Sequence, residues 1–332
     1  MKTTYLGLEL RSPVVVGSSP YTTDAEHIAR CVRHGAGAVV LRSIFEEQIV
    51  RQAAALSCQS PDAGMGDAGE YLERYLGDEY LAGHLRTIAA ARETGVPVIA
   101  SINCMAGSAA WADYAVAMEQ AGASALELNI FLQPTDRHAA AAELEKTYAD
   151  TVARVTKAVG IPVAVKLPQR LTNPLAVADA LVGRGARGVV LFNRFFEPDI
   201  DIERFAFAVG SPYSHPSELR NVLRSVALCA TAVPQLDIAV STGVHDGEAA
   251  VKALLCGARA VQICTAVHRF GYAVIGEIDR FIDAWAERHG FASLDAFSGR
   301  MDYGHTADDT YQRTQYMKYY REFCGDDVPA LG

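Results

Sequence analysis

A chain of 332 residues, half of them hydrophobic, can bury a large core as one big α/β domain or two ordinary ones. Its formal net charge of −9 argues against a nucleic-acid or anionic-membrane surface. The opening "MKTTYLGLEL" has no apolar leader segment, and no apolar run is long enough to span a bilayer, so a cytoplasmic protein is expected. Seven cysteines form no close pair and nine histidines form no H-x-x-x-H pair, so neither a disulfide framework nor a protein-held metal is expected.

In chain order, short and almost continuous apolar runs recur at Val14–Gly17, Ala38–Leu41, Val96–Ile102, Ala125–Asn129, Val163–Leu167, Gly188–Phe192, Asp237–Val240 and Ala260–Ile263. Such runs suit parallel strands covered on both faces. Helical stretches lie between them, among them Asp24–His34, Ala109–Ala121, Ala139–Val159 and Gly247–Cys256. "HGAGAVVL", "AGASALEL", "RGARGVVL" and "CGARAVQI" each put Gly-Ala between a helix and a strand, where glycine ends the helix in the left-handed conformation. "TGVPVIAS" and "VGIPVAVK" do the same with a proline after the turn.

Eight strand–helix units close most economically into a (β/α)₈ TIM barrel, an α/β fold. A doubly wound open sheet is the alternative, but the first turn "VGSSPYT" lacks G-x-G-x-x-G. One domain is expected over 1–303, with an insertion at about 45–80 that overhangs the site. The tail 304–332 contains Tyr311, Tyr316, Tyr319 and Tyr320 and reads, with Tyr303 just before it, as a closing helix on the barrel or on a second subunit.

In a barrel the chemistry gathers at the C-terminal strand ends. Here those ends carry Gly17-Ser18-Ser19, Arg42-Ser43, Asn103-Cys104, Asn129, Lys166, Asn193-Arg194, Ser241-Thr242-Gly243 and Cys264-Thr265. A lysine closing the apolar run "VAVKL" needs a partner for its charge. "STGVHDGEAA" and "ICTAVHRFG" are small-residue turns into helices, which suit a phosphate. FMN, a sugar phosphate or a similar ligand all fit that pattern.

The segments "TTYLGLELRSPVVVGSS", "VAVKLP", "LFN", "HPSELR" and "TGVHDGEAAVKALLCGARAVQICTAVHRFG" resemble the class 1, FMN-containing dihydroorotate dehydrogenases, nearest to the subset described only as dihydroorotate dehydrogenase-like. The resemblance implies FMN as cofactor, a homodimer and a small-molecule substrate. It puts Gly17, Ser18, Ser19, Ser43, Asn129, Lys166 and Phe192 against the flavin, with Lys166 and Asn129 catalytic. Ser211, Thr242, Gly243, Cys264 and Thr265 fall on its phosphate side, with Thr242 and Cys264 where the family usually has glycine.

The substrate side departs from the family pattern. The family's fourth strand ends Asn-x-Ser-Cys-Pro-Asn, its Cys or Ser being the general base, whereas this chain reads "NIFLQPTD". Asn129 is kept, Leu132 stands at the base position and Pro134 replaces the second Asn. Arg42 replaces the family's lysine, Asn193 is kept, and its Ser neighbour becomes Arg194. The expectation is an anionic substrate other than dihydroorotate, met by Arg42, Asn129, Asn193 and Arg194. The alternatives are dihydroorotate oxidation through another base and a non-catalytic flavoprotein. Cys104 is a candidate replacement base, weighed against a small packing residue. His215 and Tyr213 read as solvated loop residues and Cys256 as core.

Overall fold

The computed structural model describes residues 1–57, 66–105, 107–194, 198–306 and 311, with the backbone alone at 52–57, 66–75 and 209. Most of the Ser/Gly/Asp-rich stretch after Ser57, and Tyr316, Tyr319 and Tyr320 of the tail, lie outside the described residues. Eight parallel strands form the centre: β1 (Val14–Val16), β2 (Ala38–Val40), β3 (Val98–Asn103), β4 (Ala125–Asn129), β5 (Val163–Pro168), β6 (Gly188–Asn193), β7 (Asp237–Ser241) and β8 (Ala260–Ile263). Each pairs with the next, and β8 pairs back onto β1 through Val261 and Val14, so the sheet closes into a (β/α)₈ barrel. Closure leaves no barrel edge unpaired.

The helices are α1 (Ala25–Arg33), α2 (Glu46–Ser57), α3 (Gly66–Arg92), α4 (Ala110–Gln120), α5 (Ala141–Ala158), α6 (Pro174–Val182), α7 (Leu219–Ala232), α8 (Gly247–Leu255), α9 (Thr265–Phe270) and α10 (Ala273–Arg288). Local chemistry sets their starts: Asp24, Asn173 and Asp246 each accept a backbone N–H of the first turn of α1, α6 and α8. At the four Gly-Ala turns φ is positive, +104° at Gly35, +97° at Gly122, +90° at Gly185 and +108° at Gly257. A side chain is strained in that conformation, which is why glycine recurs there. Gly160 departs from this pattern: it is not among the positive-φ glycines, and its N–H donates to Glu119 Oε1 at 2.8 Å.

An antiparallel hairpin, Thr3–Tyr5 with Leu8–Leu10, covers the N-terminal end of the barrel. Tyr5, Leu6 and Leu10 pack there against inward-facing Ala125, Ala164, Val190, Ala239 and Ala260. The Leu6 N–H donates to Asp237 Oδ2 at 2.7 Å and pins the plug to β7. The sequence reading missed this hairpin because its strands are three residues long, too short to show a period. It also missed a second hairpin, Pro198–Asp201 with Ala206–Val209, whose Ile200, Ile202, Phe205 and Phe207 side chains are exposed. The core then lies in two places, between barrel and helices and inside the lower barrel. Among the described residues no helix is long and apolar enough to cross a membrane.

Candidate active site

Strand alternation decides what enters the barrel. Ala164 faces inward, so Lys166, two residues on, faces inward as well. The same count from Ala125 and Ala260 sends Glu127 and Gln262 to that level. All three are buried. The Lys166 ammonium donates to Gln262 Oε1 at 3.1 Å and stands 3.6 Å from Glu127 Oε1, while Gln262 Nε2 donates to Glu127 Oε2 at 2.5 Å. A buried lysine is costly alone; a carboxylate and a bridging amide offset the desolvation and hold the ammonium beneath the mouth. Glu127 Oε1 makes no hydrogen bond and faces the ammonium alone.

Above this layer the strand tips form a ring of half-exposed groups: Ser18, Asn103, Asn129, Asn193, Thr242, Cys264 and Thr265. Asn129 pairs with Lys166 in the β4–β5 register. The Asn193 side-chain amide donates to Asn129 Oδ1 at 2.5 Å. On the opposite side, Ser43 Oγ lies 2.7 Å from Ser101 Oγ and 3.3 Å from Ser18 Oγ, and the Ser43 N–H donates to Ser18 Oγ at 3.1 Å. Gly17 is buried, and a Cβ there would meet Cys264 Sγ at 2.8 Å, so the cysteine sulfur fills the space that glycine leaves. Burial pushes the Cys264 thiol pKa up.

Thr242 and Gly243 both have positive φ, +81° and +76°. A β-branched residue in that conformation stores roughly 1–3 kcal/mol of strain. The turn therefore keeps a glycine-like backbone despite the threonine. Thr265 Oγ1 accepts the Ser214 N–H at 3.1 Å, and Ser214 Oγ lies 2.8 Å from His245 Nε2, tying the segments after β6, β7 and β8 together. The N-terminus of α8 differs from expectation: its own Asp246 caps it, so an anion from outside would meet a carboxylate.

A cavity of about 800 Å³ opens at the mouth beside β4, β5 and β6. Leu132, Phe192, Asn193, Arg194 and Thr242 line it, together with Tyr148 of α5. Arg194 is committed: its guanidinium holds Glu218 Oε2 at 3.2 Å and the Ser211 carbonyl at 3.1 Å. Arg42 is exposed and lines a second cavity, of about 530 Å³, with Thr22, Tyr80 and His84. The structure thus does not bring the two arginines together.

Cys104 is buried in the core between barrel and helices, and burial pushes its thiol pKa far up, as for a packing residue. Ser19 spends its hydroxyl capping the turn Pro20–Thr22, and Ser211 is exposed. His215 caps Pro216–Glu218, and Tyr213 stacks on His268 with centroids 4.0 Å apart. Glu127, Gln262 and Tyr148 were missed by sequence reading. The first two carried a signal, as polar residues within apolar strands and in phase with Lys166.

In kind, these residues fit a flavin. A buried ammonium lies beneath amides and hydroxyls, and small-residue turns flank it on the β7–β8 side. When bound, a flavin supplies two-electron, hydride-type chemistry that no side chain offers. The fold and the site are therefore those of a barrel whose mouth could hold a flavin.

The sequence comparisons narrow this class. The family profile described as "Dihydroorotate dehydrogenase" matches residues 1–285. The catalytic subunit of dihydroorotate dehydrogenase B (NAD(+)) from Methanosarcina acetivorans is 29% identical over 303 residues, covering 88% of this chain and 93% of the relative. Its counterpart from Methanothermobacter thermautotrophicus is 27% identical, covering 90% and 97%. A chloroplastic dihydropyrimidine dehydrogenase (NADP(+)) from Arabidopsis thaliana is 23% identical, covering 94% and 80%. The chain belongs to the dihydroorotate dehydrogenase family, flavoprotein oxidoreductases that act on CH–CH groups.

Proposed function

We propose that the chain is an FMN-dependent oxidoreductase of the subset without the family's Cys or Ser base, exchanging hydride equivalents with a small molecule other than dihydroorotate. Asn129, Asn193 and Lys166, with Ser18 and Ser43, serve the flavin and the reacting end of the substrate. The turns Thr242–Gly243 and Cys264–Thr265 serve the phosphate. Residues 1–303 act as one domain, and the chain works as a homodimer.

One observation carries the reading: Leu132, which the sequence resemblance sets at the family's base position, lines the cavity that Asn193 and Phe192 also line. A leucine accepts no proton, and general base catalysis typically contributes ~10²–10⁴-fold. The anionic-substrate expectation rested on Arg42 and Arg194. With Arg42 facing the second cavity and Arg194 held by Glu218, the two arginines do not converge on one anion. The test is reconstitution with FMN. Uptake of one flavin per chain, weakened in Lys166→Ala, supports the proposal, and a protein that retains no flavin after desalting overturns it.

A further inference from the structure

We propose that the second cavity, beside β2 and α3, is a binding site for a sugar phosphate, separate from the barrel mouth. It shares no lining residue with the first cavity and stands independently of the flavin reading.

One wall is a single face of α3. Glu79, Tyr80, Gly83, His84, Arg86 and Thr87 recur at the three- and four-residue spacing of a helix and all line the cavity. The other wall includes Thr22, Thr23 and Arg42, and the Arg42 N–H donates to the Thr22 carbonyl at 3.3 Å. Gly83 leaves open space on the helix face. A Cβ there would meet nothing nearer than Arg86 Nη2, at 3.9 Å, so the neighbouring atoms do not demand a glycine. A glycine inside a helix costs about 1 kcal/mol relative to alanine, and here it leaves room for a guest.

The polar atoms sort by kind. Thr22 Oγ1 donates to the Ser19 carbonyl, Thr23 Oγ1 to the Pro20 carbonyl and Thr87 Oγ1 to the Gly83 carbonyl. His84 Nδ1 lies 3.0 Å from the Tyr80 carbonyl, which can only accept, so Nδ1 carries the proton and Nε2 of the neutral ring is an acceptor. The threonine donors are thus spent and acceptors remain, the Glu79 carboxylate among them. The cations are unspent. Arg42 and Arg86 are exposed, and neither side chain has a partner among the described residues.

A ligand that suits these walls carries an anion at one end and hydroxyl donors along its body. Two guanidiniums in one concavity match the paired oxygens of a phosphate monoester. The volume, about 530 Å³, holds a small organic body besides the phosphoryl group. Hydroxyls on that body donate to Glu79, His84 and the threonines. A sugar phosphate meets both demands, whereas inorganic phosphate or an apolar ester leaves the acceptors unused.

The test is calorimetric titration of the full chain with ribose 5-phosphate, after FMN loading so that a phosphate site at the mouth is already filled. One molecule per chain should bind, at least about tenfold more tightly than inorganic phosphate or phenyl phosphate. Arg42→Gln and Arg86→Gln should each weaken binding about tenfold or more. Arg288→Gln, which changes an exposed arginine at the end of α10 outside the cavity, should change it less than about twofold. Gly83→Leu, which removes no charge, should abolish binding while unfolding in urea no earlier than the wild type. The proposal is overturned if ribose 5-phosphate fails to bind at millimolar concentration, if both arginine variants bind it as the wild type does, or if folded Gly83→Leu binds it unchanged. Equal affinity for phenyl phosphate overturns the hydroxylated body, and equal affinity for inorganic phosphate overturns any organic body. A protein that takes up no flavin sinks the flavin reading alone. The same titration of the chain as purified, with the same variants, then decides this site.

Discussion

The Asn193 amide donates to Asn129 Oδ1 at 2.5 Å, joining the tips of β6 and β4 across β5. Each amide fixes the other's orientation, so both present defined donors and acceptors at the mouth. Asn193→Ala should leave folding stability nearly unchanged, because the site is half-exposed and water replaces the lost donor. FMN uptake, followed by quenching of flavin fluorescence, should weaken by about 5–10-fold, the worth of one hydrogen bond. Equal affinity in the variant would place the flavin elsewhere.

Beneath that pair, Lys166 and Glu127 depend on each other. Lys166→Met should cost about 3–5 kcal/mol in urea unfolding, because Glu127 is left as an uncompensated buried charge. Glu127→Leu combined with Lys166→Met should recover much of the loss. Equal destabilisation of the single and double variants would mean that the ion pair is not coupled.

His245 gives the fold a pH dependence. It is buried, and desolvation first, then Arg269, holds its pKa below the ordinary imidazole value of 6.5, with Asp246 and Glu218 opposing. Below pH 6.5 the unfolded chain takes up a proton that the folded chain refuses. This contribution is whole above that pH and declines as pH falls toward the depressed folded value. Urea unfolding between about pH 5 and 7 should show the decline in the wild type and a flatter profile in His245→Gln. Parallel profiles would remove His245 as the cause.

The hairpin after β6 offers a surface for the homodimer we propose. Phe205 is 92% exposed and Phe207 83%, which is unusual for two phenylalanines on one short ribbon. Wild type should sediment as a dimer at micromolar concentration, and Phe205→Glu with Phe207→Glu as a monomer. A monomeric wild type contradicts the proposal.

Much of this architecture was legible in the sequence for a physical reason. Strands covered on both faces read as apolar runs, and each Gly-Ala turn marks where a helix must stop. Lys166 stood out because a cation ending such a run needs an explanation. Its partners did not, since Glu127 and Gln262 come into contact only when the barrel closes and brings β4, β5 and β8 to one interior level. Tyr148 was hidden for a related reason. It looks like an ordinary aromatic on an amphipathic helix, and only folding sets it on the wall of the cavity that Leu132 also lines. The fate of Arg194 likewise depends on Glu218, which is 24 residues away in the chain.

The central claim is a flavin site whose proton-abstracting residue has been replaced by Leu132. Anaerobic mixing of the FMN-loaded protein with dihydroorotate, following the flavin absorbance, tests it most directly. The account predicts that the absorbance persists over the time in which family members reduce their flavin. Rapid bleaching would contradict it and would mean that another group removes the substrate proton.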